Sequence, residues 1–228
     1  MIVEFKFNKE KDLYNVWKAC NSKKNYGHDF KKNIPKNVIK ICNKRTFKKC
    51  KKNLIKDREI VYKIPIKKII LECVTKSWKK IENEYFKRLE TITKRKFPFK
   101  KIKGFMTTIP KCPYDPNPKF PYFYFQFFVG SATIIHIAGH ELMHIHLHNN
   151  GWWEKVEKEL GNKKTHDLKE ALTELLNLEF RDLWISKDKG YPNHIKLRSF
   201  IKKQWKKKKD FDLLTENCIK WIKRNGVK

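Results

Sequence analysis

The chain has 228 residues, 40% hydrophobic and 14% aromatic, enough to bury a sizeable core as one domain or two small ones. A mean hydropathy of −0.73 and a net charge of +30 require a very polar surface, one that attracts nucleic acid or anionic membrane. The opening MIVEFKFNKEKD is charged from Glu4 onward and has no apolar core segment, so the expectation is a cytoplasmic protein without a secretory leader.

In chain order, the first third reads as helices. Leu13, Val16, Trp17 and Cys20 share one face of a short helix that ends by Gly27. Pro35 opens a second helix through Cys42, and residues 46–62 continue with Phe47, Cys50, Leu54 and Val61 on one side. Pro65 suits a first turn. Beyond it Ile66, Ile70, Cys73, Ile81, Tyr85, Leu89 and Ile92 mark a long amphipathic helix. The six cysteines contain no C-x-x-C pair, so they are expected to be reduced thiols, several of them buried, rather than a zinc module.

The character changes after residue 95. FKKIKGFMTTIP (99–110) is β-prone and leads into the Pro-rich turn KCPYDPNPKFP; the aromatic PYFYFQFFVG is a second strand. Gly130-Ser131 ends that run, and Ser131 is placed to N-cap the next helix. This helix runs to about His148, where Asn149-Asn150-Gly151 stops it. A further helix is expected over 167–186 on Leu168, Leu172, Leu175, Leu176 and Leu183. Residues 194–225 are basic and helical, with Ile201, Trp205, Leu213, Leu214, Ile219 and Trp221 as the apolar positions.

Five of the eight histidines fall between His136 and Asn150, and His140-Glu141-Leu142-Met143-His144 is an H-E-x-x-H pattern. Positions i and i+4 share a helix face, so His140 and His144 can present two imidazoles to one metal ion. Glu141, beside them, can take a proton from a water polarised by the metal and pass it to a leaving amine. The flanking Ile135, Ile137, Ala138, Leu142, Met143, Ile145 and Leu147 make the helix apolar almost all round, hence buried. Buried imidazoles need partners. The competing reading is a core helix whose histidines are satisfied without metal.

A catalytic zinc takes three protein ligands and keeps one position open. His148 and His136 continue the i+4 series, but His140 and His148 are about 12 Å apart along the helix axis, and His136 and His144 fail in the same way. Both are better placed as pocket or supporting groups. The metzincin extension is absent, because position 147 is Leu and position 150 is Asn. The third ligand should then come from another segment, and LKEALTELLNLEF places Glu170, Glu174 and Asn177 on one face. Glu170 is the first choice and Glu174 the second. Glu170 has a plainer reading as the N3 residue of a capping box with Asp167 as N-cap.

HELMH followed by a downstream E-A-x-x-E helix resembles the gluzincin class of zinc metallopeptidases. HELMHIHLH with EALTELL is also similar to small regulatory metallopeptidases of the ImmA/IrrE type, although Thr173-Glu174 stands where that family favours small apolar residues. The resemblance covers about 131–185. It implies His140, His144 and Glu170 as ligands of one zinc ion per chain, Glu141 as general base, and Glu174 supporting a ligating histidine. It also implies an electrophilic helper for the oxyanion, for which Tyr191, His194 and His166 are candidates.

The resulting expectation is an α+β, zincin-like metallopeptidase domain, mostly helical, with a small antiparallel or mixed sheet before the active-site helix. It divides into a helical region (1–95), a catalytic core (96–190) and a basic helical segment packed on that core (191–228). The partner is a protein or peptide substrate. The alternative is a basic nucleic-acid-associated protein with a structural or vestigial metal site. Arg contributes only seven of the 54 basic residues. Base readers depend on the arginine fork, so the Lys excess reads as a solvated surface with weak, nonspecific nucleic-acid binding. The 21 residues from Phe120 to His140 carry no formal charge, a length that could span a bilayer. Gly130-Ser131 splits them, and no second span shields a polar site from lipid. No membrane span is expected.

Overall fold

A computed structural model describes residues 2–22, 29–117 and 119–227. The fold is α+β and mostly helical, with one mixed four-stranded sheet. The first strand is β1 (Ile2–Phe7), inside the region expected to be helical. Its IVEFKF alternation turns Val3 and Phe5 into the core. A six-residue strand needs a partner to hold it, and β1 finds one almost a hundred residues away, pairing parallel to β2 (Lys101–Thr107). β2 pairs parallel to β4 (Tyr122–Gln126), and the two-residue β3 (Tyr114–Asp115) closes the edge antiparallel to β4.

Between β1 and β2 run α1 (Lys9–Cys20), α2 (Lys36–Cys42), α3 (Phe47–Lys63) and α4 (Ile66–Thr93). The last three match the sequence expectation. The proposed stop at Gly27 lies outside the described residues; α1 itself ends at Cys20. Two apolar cores result. The smaller gathers Leu13, Val16, Val38, Cys42, Cys50 and Leu54 from α1–α3. The larger includes Val74, Trp78, Tyr85 and Leu89 of α4 with the sheet and the later helices, while Ile109 packs into the smaller. Asp12 on α1 joins the two: it is fully buried and accepts hydrogen bonds from the Thr107 hydroxyl, the Thr108 backbone N–H and hydroxyl, and the Tyr62 phenol, at 2.7–2.8 Å. Four of the six cysteines are buried.

The H-E-x-x-H helix is α5 (Ser131–His148). Gly130 takes the N-cap position and no side chain caps the helix, so Ser131 is its first residue rather than its cap. The uncharged stretch 120–140 divides between β4 and α5. Among the described residues, no helix is long and apolar enough to cross a membrane. Gly139, just before His140, is required by packing. A Cβ there would stand 2.6 Å from the Trp184 ring and 3.2 Å from Tyr85, while the Tyr85 hydroxyl donates to the Gly139 carbonyl at 2.6 Å.

After α5 comes α6 (Trp152–Leu172), broken at Gly161, whose φ of 73° and ψ of 163° suit only glycine. The expected helix over 167–186 is thus shifted: its beginning lies upstream of Asp167, and α7 (Glu174–Glu179) ends it seven residues early. Asp167, inside α6, is not an N-cap, and the capping-box reading of Glu170 falls with it. The C-terminal segment is two helices, α8 (Ile195–Lys207) and α9 (Phe211–Asn225). They pack Ile201, Trp205, Leu214 and Ile219 into the larger core.

Candidate metal centre

α5 and the second half of α6 face each other across a cavity of about 570 Å³, whose opposite wall is the segment 110–116 around β3. His140, Glu141 and His144 offer ligand atoms within 4.8 Å of one another, a group that could hold a metal ion. Glu170 of α6 borders the same space. Its Oε2 lies 3.3 Å from His144 Nε2 and 3.7 Å from His140 Nε2. These spacings are long for hydrogen bonds. The shorter matches the edge of a ligand tetrahedron, about 3.3–3.4 Å for bonds of about 2.0–2.1 Å, and the longer exceeds it. Both His144 Nε2 and Glu170 Oε2 are buried without a hydrogen-bond partner, and an orphaned donor–acceptor set of this kind is costly unless something sits between its members.

The charge states of His144 and Glu170 suit a cation. Burial pushes His144 down to about 3, with Lys169 adding, so this imidazole is neutral. Burial works against an ionised Glu170, yet Lys169 and the two imidazoles outweigh it and hold the carboxyl well below its usual range. Burial pushes Glu141 up to about 8, against the pull of His140. Burial also opposes charge on His140, but Asp188 overcomes it and holds the imidazole well above its ordinary value.

Asp188, which sequence reasoning missed, is the carboxylate that touches a candidate ligand. Its Oδ2 lies 2.7 Å from His140 Nδ1 and 3.4 Å from His136 Nε2. Asp188 is ionised, held low against burial by His140, His136 and Arg198. His140 Nδ1 therefore donates to Asp188, which leaves Nε2 as the ring atom turned toward Glu170. Glu174 was expected in this role and does not occupy it. It pairs with Arg198 at 2.8 Å, and Arg198 in turn meets Asp188 Oδ1 at 3.1 Å and donates to its backbone carbonyl at 2.9 Å. Glu174 thus supports His140 through two intermediaries. The only local sign of Asp188 was the D-x-G spacing: Gly190 (φ 63°) donates its N–H to Asp188 Oδ1. Among the described residues His144 has no comparable support, its Nδ1 being buried without a partner there.

The other expected residues separate. His148 lines the cavity beyond the imidazole pair, stacked on Trp153 with centroids 3.9 Å apart. His136, His166 and Tyr191 also line it. His194 does not: it is fully buried and bonded to Asp167 at 2.9 Å. Two cavity residues carried no signal in the sequence. Lys169 is one lysine among 47, and Tyr114 reaches the site only because the Pro-rich segment folds back as β3. The chain matches no known family model, no curated protein and no solved structure.

Proposed function

We propose that this chain is a zinc-dependent metallopeptidase with a zincin-like catalytic core, its ion held by His140, His144 and Glu170. The observation that carries the reading is a buried, unpartnered carboxylate oxygen lying 3.3 Å and 3.7 Å from two imidazole Nε2 atoms inside a cleft. Two imidazoles and one carboxylate are a donor set suited to zinc, which His140 can join by giving up its Nε2 proton. Zinc bound there supplies a Lewis acid that polarises the scissile carbonyl and makes water acidic near neutrality. Glu141, on the same helix face, accepts the proton from the attacking water and delivers it to the leaving amine. Its buried carboxyl, pushed up to about 8, suits a group that must both take and release a proton near pH 7. Asp188 keeps His140 in the tautomer that faces the metal. Arg198 holds Asp188 from behind, and Glu174 holds Arg198. Tyr191 and His166 line the cleft and are the candidates to meet the oxyanion.

Metal analysis of the purified chain should find about one zinc per chain, lost in His140→Ala and His144→Ala. Glu141→Gln should keep the zinc and abolish peptide hydrolysis, because the amide cannot relay a proton. A folded wild type that takes up no zinc would sink this reading. The net charge of +30 supports the second reading, a nucleic-acid-associated protein with a structural or vestigial metal. An active Glu141→Gln variant with zinc retained would favour it.

A further inference from the structure

Lys169 immediately precedes Glu170 on α6, and it is almost fully buried. Its Nζ lies 2.9 Å from Glu170 Oε1 and donates to the Tyr114 hydroxyl at 2.8 Å. It also stands 4.6 Å from the centroid of the Tyr114 ring. Consecutive residues on a helix point in different directions and do not ordinarily meet. Here the hydroxyl and ring of Tyr114, on the edge strand, hold the ammonium back over its neighbour's carboxylate. A lysine carries three donors and no acceptor, and burying one is costly unless those donors are used.

The two oxygens of Glu170 consequently have different surroundings. Oε1 accepts from Lys169, whereas Oε2 faces His140 and His144 and has no other partner. A carboxylate with both oxygens free can bind a cation through one or through both. The second mode would fill a coordination position that a catalytic site needs open.

We propose that Lys169 is a positioning residue that makes Glu170 a one-oxygen ligand: by occupying Oε1 it leaves only Oε2 for the metal and keeps the position beside Glu141 open. The inference rests on the metal site proposed above. It adds a function for a lysine that no motif marks and assigns Tyr114 as the anchor of that lysine.

The test uses the full chain loaded with cobalt(II), whose visible absorption falls in intensity as coordination rises from four to five. X-ray absorption on the same samples counts the ligands. Wild type should be four-coordinate. Lys169→Met, which keeps the length of the stem and removes the donor, should show weaker visible bands and one additional oxygen neighbour. Lys169→Gln, which restores an N–H, should return the wild-type spectrum. A folded Lys169→Met variant with the wild-type spectrum overturns the proposal, even if it is less stable or less active. So does a wild type that is already five-coordinate through both Glu170 oxygens, a measurement that stands if Lys169→Met does not fold. Wild type that takes up no cobalt and no zinc fails differently: it removes the metal site itself.

Discussion

At the residue scale, the arrangement around His140 depends on a carboxylate that a motif search does not reach. Asp188 fixes the tautomer of one imidazole, and Arg198 and Glu174 fix Asp188. Asp188→Asn keeps the shape but replaces an anionic acceptor with a neutral amide that can turn its N–H toward His140. Zinc affinity, measured by competition with a coloured chelator, should fall by about 10–100-fold. Glu174→Gln should fall less, because it reaches His140 only through Arg198 and then Asp188. If Glu174→Gln strips the metal while Asp188→Asn leaves it, the order of support described here is reversed.

At the scale of the element, Glu170 reaches the site because α6 is broken. Gly161 holds a φ of 73° and ψ of 163°, in a region open essentially only to glycine. Beyond the break, Lys169 and Glu170 of the segment 162–172 line the cavity. A Cβ at Gly161 would meet nothing within 4 Å, so the cost of Gly161→Ala is backbone strain alone. Denaturant unfolding should show a loss of about 1–3 kcal/mol. A variant as stable as wild type would mean that the kink relaxes without cost.

At the scale of the whole molecule, buried histidines make the protein sensitive to acid. Burial pushes His148 down to about 3, with Lys169 and His166 adding; the unfolded value is about 6.5. The folded pKa lies below the unfolded one, so the unfolded chain binds the proton first. The associated stability is complete above about pH 6.5 and is lost as pH falls from there toward about 3. His148→Phe keeps the stack on Trp153 and removes the titration. In chelator-treated protein, its stability loss between about pH 7.5 and 5.5 should be smaller than that of wild type by at most about 1 kcal/mol, discounted for partial exposure. Equal losses in the two proteins would exclude His148 as a source of the acid sensitivity. The net charge of +30 acts at the same scale. DNA binding should lack sequence preference and weaken by orders of magnitude between about 50 and 200 mM salt. A sequence-specific complex that survives physiological salt would favour the nucleic-acid reading over a solvated lysine surface.

How much was legible in the sequence follows from how local each feature is. The His140/His144 pair and Glu141 could be read directly, because i and i+4 share a face on any helix. The four helices α2–α5 were visible in their apolar spacing, and Glu170 stood out as an acid on a leucine-rich stretch. β1 was missed although IVEFKF alternates, since its partner lies near residue 101 and a lone short strand has no stability of its own. Asp167 looked like a helix start until the chain upstream proved helical and its carboxylate was found on His194. Lys169 and Tyr114 carry no mark that separates them from other lysines and tyrosines of the chain, and Asp188 has only the glycine two residues on. Their places at the cleft were decided only by the tertiary structure: by a turn after α7, a glycine break in α6 and a Pro-rich segment folded back as β3. Side-chain spacing along one helix is a property of that helix alone, whereas a site closed by three further segments exists only once the core between them has packed.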